Sequence, residues 1–160
     1  MATIVVETGS IVSGANSYIS EADMGTYATD RGVTIAGTAA DLLIQAMDYI
    51  ESQSFQGLKK TSAQALQWPR TNVVIDSYAV NSDVIPQLLK DALCEFCIGI
   101  DGGTNPLANV ARETVREKVG DIEVEYSPNS RSADYLAAGE TKLRKLLANQ
   151  SGISARVIRG

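Results

Sequence analysis

Between Pro86 and the pair Gly102-Gly103 the chain places Leu88, Leu89, Ala92, Leu93, Phe96 and Ile100 at helical spacing. A stripe of that width has to be covered, so this segment predicts an amphipathic helix at the centre of a packed domain, opened by a proline at its first turn and stopped by the glycines. A second stripe, Ala39, Leu42, Leu43, Ala46, Met47 and Ile50, predicts a partner helix that Thr38 and Asp41 would cap. Ser20 with Asp23 marks the start of a shorter helix from Glu21 to Arg31, ended by Gly32. A fourth helix is expected over Ala133 to Asn149, with Leu136, Leu143, Leu146 and Leu147 facing inward, cations at its C-terminal end and Gly152 as its stop.

The remaining segments read differently. "MATIVV" is β-branched and predicts a short N-terminal strand. Ser52 to Pro86 has polar and glycine breaks and one strand-like run, Val73 to Asp76, which reads as connection more than core. Val115 to Val119 and Ile122 to Tyr126 flank Gly120-Asp121 as a charged β-hairpin. The fold class expected is mainly α (α+β): a bundle of about four helices with a short N-terminal strand, a β-hairpin and an extended arm. Residues 1–152 form the single domain and residues 153–160 the arm.

Composition narrows the function. With 14 Lys and Arg against 19 Asp and Glu, the net charge of −5 repels polyphosphate over the molecule as a whole. No histidine is present, which removes the commonest general base and metal ligand, and no constellation of residues points to catalysis or to a cofactor. No apolar run is long enough to span a bilayer and no signal peptide is seen, so a cytosolic site of synthesis is expected. Cys94 and Cys97 match C-x-x-C but fall within the amphipathic helix, where free, packed thiols are expected. Lys59 and Lys60 follow Gly57 without the order a P-loop needs and read as a solvated turn. Glu123 and Glu125 alternate along a strand and read as an exposed charged face rather than a cation site. The six tyrosines are scattered rather than interleaved with cations, as a single-strand stacking groove would require. Leu66, Trp68, Pro69 and Arg70 form a structural anchor in this reading: Leu66 and Trp68 pinned on the helical core, Pro69 turning the chain, Arg70 near the surface for a carboxylate or a neighbour.

Taken in order, "TIVVETGS", "GANSYIS", "AMDYIES", "QALQWPR", "SDVIP", "REKVGDIEVEY" and "RVIRG" resemble a family of head-to-tail connector (adaptor, or head-completion) proteins of tailed bacteriophages. The resemblance implies a structural virion protein at the head-tail interface, assembled in the host cytoplasm as a ring, a dodecamer, under the portal protein. The packaged double-stranded DNA would pass through its channel without specific binding, and a next connector or tail-terminator protein would follow on the tail side. It implies no catalytic residue, no cofactor and no membrane partner. Arg112, Arg116, Lys118, Asp121, Glu123 and Glu125 would face neighbouring copies or the channel, and Ile153, Arg156, Val157, Ile158 and Arg159 would dock on the portal. The same family also carries the label of a DnaT-like single-stranded-DNA-binding domain. That label is the alternative reading, against which stand the acidic balance and the scattered aromatics.

Overall fold

The computed structural model describes residues 2–107, 114–118, 123–126 and 136–148, the two middle stretches by their backbone pairing. Four helices and short antiparallel ladders make a mixed, mainly helical α+β domain. Helix α1 spans Glu21–Asp30, α2 Ala39–Glu51, α3 Gln87–Asp101 and α4 Ala137–Leu143. Helix α3 is the centre, with α1, α2 and α4 packed on it.

The local signals explain where the helices start. Ser20 Oγ accepts from Asp23 N at 3.1 Å and Asp23 Oδ2 accepts from Ser20 N at 3.2 Å, a complete capping box on α1. Those bonds from Ser20 also hold the Asp23 carboxyl below its ordinary range. At α2 the expected box is absent: Thr38 is the N-cap but its side chain makes no capping bond. A residue distant in sequence takes over, because Asp101 at the end of α3 accepts from Ala36 N at 3.0 Å and Gly37 N at 2.7 Å and pins the approach to α2.

The expected stripes are the buried ones. Leu42, Leu43, Ala46, Met47 and Ile50 of α2 meet Leu89, Ala92, Leu93 and Phe96 of α3, while Leu88 and Ile100 lie at the edge of the core. Cys94 and Cys97 are free and buried, and burial raises both thiol pKa values, Cys94 to about 12. Glycine sets how closely α4 approaches. A Cβ on Gly139 would stand 2.9 Å from the Phe96 ring, and one on Gly99 would stand 2.3 Å from Leu136 Cδ2.

Three further expectations are corrected. The N-terminal segment forms no regular strand: Val6 makes a single bridge to Ser17, and the loop is organised by Glu7, 1% exposed. Its carboxylate accepts from Gly9 N and Val12 N at 2.8 Å and Ile11 N at 3.0 Å, so the backbone turns around the side chain instead of extending. Helix α4 ends at Leu143, not near Asn149, because the chain leaves it to bridge Leu147 to Phe55 and to donate Ala148 N to Ser54 O at 2.9 Å. Residues 133–135 and Gly152 lie outside the described residues.

The third correction concerns the stretch read as connection, which carries much of the core. Phe55, Leu66, Trp68, Val73 and Ile85 are all buried, because the non-helical segment folds back over the open side of α2 and α3. It does so through two ladders: β1 (Leu58–Lys59) pairs with β2 (Arg70–Thr71), and β3 (Val74–Ile75) pairs with β4 (Tyr78–Ala79). The predicted hairpin follows as β5 (Thr114–Lys118) and β6 (Glu123–Tyr126), whose register sets Arg116 opposite Glu125 and Lys118 opposite Glu123.

Two substitutions test this packing. Trp68→Ala removes the largest fully buried side chain and should cost about 3–5 kcal/mol in chemical denaturation. Gly139→Ala should cost about 1–3 kcal/mol, because the new methyl meets the face of a buried ring rather than a flexible chain end.

Candidate functional site

The two surfaces with the residues for recognition are the elbow around Trp68 and the corner formed by the β1–β4 ladders. At the elbow, Trp68 is 0% exposed, Leu66 and Pro69 are buried beside it, and the Trp68-Pro69 peptide bond is cis. The Trp68 ring meets Phe55 edge-on, with centroids 6.0 Å apart. Trp68 N donates to the Tyr18 hydroxyl at 3.1 Å, Tyr18 donates to Glu51, and Glu51 Oε2 accepts from Gln67 N at 2.7 Å. Burial is the main reason the Tyr18 and Glu51 pKa values are raised, and for Glu51 it outweighs the bonds from Tyr18 and Gln67, which act in the other direction. A base cannot stack on Trp68 while this packing stands.

Arg70 corrects its expected place. It is 7% exposed, and it meets backbone carbonyls rather than a carboxylate or a neighbour. Its Nε donates to Gln56 O at 2.7 Å, Nη2 to Gly57 O at 2.9 Å and Phe55 O at 3.3 Å, and Nη1 to Gln67 O at 3.2 Å and Gln67 Oε1 at 2.9 Å. The planar fork of the guanidinium satisfies a loop whose carbonyls have no sheet to join. Burial lowers the Arg70 pKa while the nearby Tyr18 and Glu51 act to raise it.

The ladder corner has the opposite character. Tyr78 is 79% exposed, Leu58 is 66% exposed and Val74 is half open. Between Ile75 and Tyr78 the chain reverses through Asp76 and Ser77, with φ of 50° and 73°, the pattern of a type I′ turn made without glycine. Asp76 Oδ2 pairs with Lys145 Nζ at 2.9 Å. The turn after α4 is seated here because Gln56 N donates to Leu146 O at 3.0 Å and Gln56 Nε2 to Lys145 O at 2.9 Å. Arg144 and Lys59 are exposed, and among the described residues neither makes an ion pair. Lys60 is held by Asp83. Lys145 and the adjacent Arg144 thus lie in the turn that the Asp76 pair ties to the hairpin carrying Tyr78.

Other aromatic and polar groups are already engaged. Arg31 lies 3.3 Å over the Tyr27 ring, and Lys142 Nζ bonds the Tyr27 hydroxyl at 2.9 Å and Glu95 at 3.1 Å. Burial works to raise the Glu95 pKa, but the bonds from Tyr27 and Lys142 and the charge of Arg31 prevail and lower it. Tyr49 bonds Glu140 and packs against Phe96. An open groove of about 320 Å³ between α1 and α3 is lined by Asp23, Asp30 and Asp91 against the single cation Lys90, which makes it a poor seat for a polyanion.

The comparison with known families decides between the two readings of the sequence. Residues 2–160 match the family model described as "Putative DnaT-like ssDNA binding protein". The chain belongs to that family. No curated protein and no solved structure matches. The match overturns the expectation of a head-to-tail connector, because the family that covers the chain is described by single-stranded DNA binding and not by virion structure. For this DnaT-like chain, net charge describes the molecule as a whole and not any one local surface.

Arg112, Asp121 and the arm residues Ile153, Arg156, Val157, Ile158 and Arg159 lie outside the described residues, and Arg116, Lys118, Glu123 and Glu125 are placed by backbone register alone. Sequence reasoning did not single out Tyr78, Arg144 and Lys145, which the fold brings to the ladder corner and the turn paired with it. The available signal was the dipeptide Asp76-Ser77 between two β-branched or aromatic residues, a hairpin turn that leaves its flanking tyrosine at an edge.

The buried carboxyl at the elbow makes a pH prediction. Glu51 has a folded pKa above its unfolded value, so the folded state binds more protons in that window. Stability should therefore fall as pH rises from about 4.5 through the raised folded pKa. Denaturation of wild type and Glu51→Gln at matched pH should show that this part of the decline disappears in the variant.

Proposed function

We propose that this protein binds single-stranded DNA without reading its sequence. The observation that carries the reading is the family match over residues 2–160. The role is binding rather than catalysis, in keeping with a chain that has no histidine and whose two thiols are buried with raised pKa values. On a chain of net charge −5, contact with phosphates depends on a few locally clustered cations rather than on a basic groove.

That constraint sets the form of the binding isotherm. Fluorescence anisotropy with a labelled single-stranded oligonucleotide should show binding at low salt. The slope of log affinity against log salt should be shallow, roughly −1.4 to −2.1 for two or three phosphates neutralised. Absence of binding at low salt, or equal affinity for the matching duplex, would remove the reading.

A further inference from the structure

We infer that the β3–β4 hairpin corner is the strand-binding platform: Tyr78 stacks on a base while Lys145, released from Asp76, and Arg144 take the flanking phosphates. The inference rests on the single-strand reading above and assigns it a site.

Among the residues whose burial is described, Tyr78 is the aromatic side chain with an open face. Trp68 and Phe55 are buried, Tyr18 is buried and bonded to Glu51, Tyr27 is covered by Arg31 and Lys142, and Tyr49 packs on Phe96. Any base has a π-face, so one exposed ring serves strands of any sequence. The ring is also presented on a rigid mount. Asp76 and Ser77 both hold positive φ without being glycine, a conformation that persists only where the surroundings impose it. Val80 N donates to Val73 O at 2.9 Å and closes the base of the hairpin, and the Lys145–Asp76 pair ties its tip to the turn after α4.

The Lys145–Asp76 pair gives the corner its electrostatic logic. Both side chains are more than half exposed, so the pair is weak and solvent-screened. A strand phosphate can take the same ammonium, with release of condensed counterions favouring the exchange, and Asp76 sits two residues from the stacking ring, where a strand draped over Tyr78 would place its backbone. Asp76 thus occupies the phosphate position in the free protein. A phosphate that displaces it leaves the carboxylate close to the strand and limits affinity. Arg144, next to Lys145 and without an ion-pair partner among the described residues, is open to a second phosphate.

Four single variants measured by oligonucleotide anisotropy test the site. Each change lies on the surface, and thermal denaturation confirms that the fold is kept. Tyr78→Ala should weaken binding by roughly 5- to 150-fold, the equivalent of one lost base stack, and Tyr78→Phe should keep most of the affinity. Lys145→Ala should weaken binding and flatten the salt slope by about 0.7. Asp76→Asn should tighten binding several-fold at low salt, since asparagine also adopts the left-handed turn conformation but does not compete for the lysine. If wild type binds single strands and both Tyr78→Ala and Lys145→Ala bind as well as it does, the platform is elsewhere while the single-strand reading stands. If Tyr78→Ala and Lys145→Ala weaken binding but Asp76→Asn does not tighten it, the competing-carboxylate part is wrong. If wild type does not bind at all, the site falls together with the function.

Discussion

The arrangement of the non-helical segment between α2 and α3 depends on the guanidinium of Arg70. Segments 55–57 and 67 carry carbonyls that no regular sheet receives, and one planar cation accepts the task by donating to Phe55, Gln56, Gly57 and Gln67. A buried carbonyl without a donor costs on the order of 1–3 kcal/mol, so removal of this one side chain exposes several such costs at once. With Arg70 in place, Trp68 lies flat against the core, Phe55 meets it edge-on, and Tyr18 and Glu51 close the polar side of the elbow. Lysine could not substitute, because a single ammonium cannot spread its donors over a fan of carbonyls.

This interior use of the most nucleic-acid-like tripeptide in the chain relocates the candidate surface. Trp68 and Arg70 have the chemistry of a stacking and phosphate-binding pair, but both are consumed by folding. What they support is the pair of short ladders above them, and those ladders present the open ring of Tyr78 beside the turn after α4. The acidic total charge and a cationic corner are compatible, because screening confines each charge to about a Debye length, on the order of 10 Å. The α1–α3 groove, lined by three aspartates, carries a share of the negative balance away from that corner.

The helices were legible because their information is local. The apolar stripes of α2 and α3, the Ser20-Asp23 box and the Gly102 stop all act within a few residues, and the observed limits follow them closely. The failures share one cause, which is that a distant residue did the work assigned to a near one. Asp101 pins the approach to α2 where Thr38 was expected to cap it, and Phe55 draws Leu147 out of the last helix. Glu7 turns a β-branched segment into a loop by accepting three backbone N–H groups. The connector reading rested on short segments taken in order along the chain, and the family match overturns it; net charge and aromatic spacing, which weighed against the single-strand alternative, describe the chain as a line and not as a folded surface.

From the sequence alone came the mainly helical class, the central helix, the buried thiols and the burial of Trp68, since each depends on periodicity or on the transfer of apolar surface out of water. Tertiary structure alone decided that Arg70 is an interior scaffold and Tyr78 an exposed ring. Both are amphipathic side chains whose burial is set by whether backbone carbonyls or solvent meet their polar atoms, and that depends on which segments the fold brings within hydrogen-bond reach.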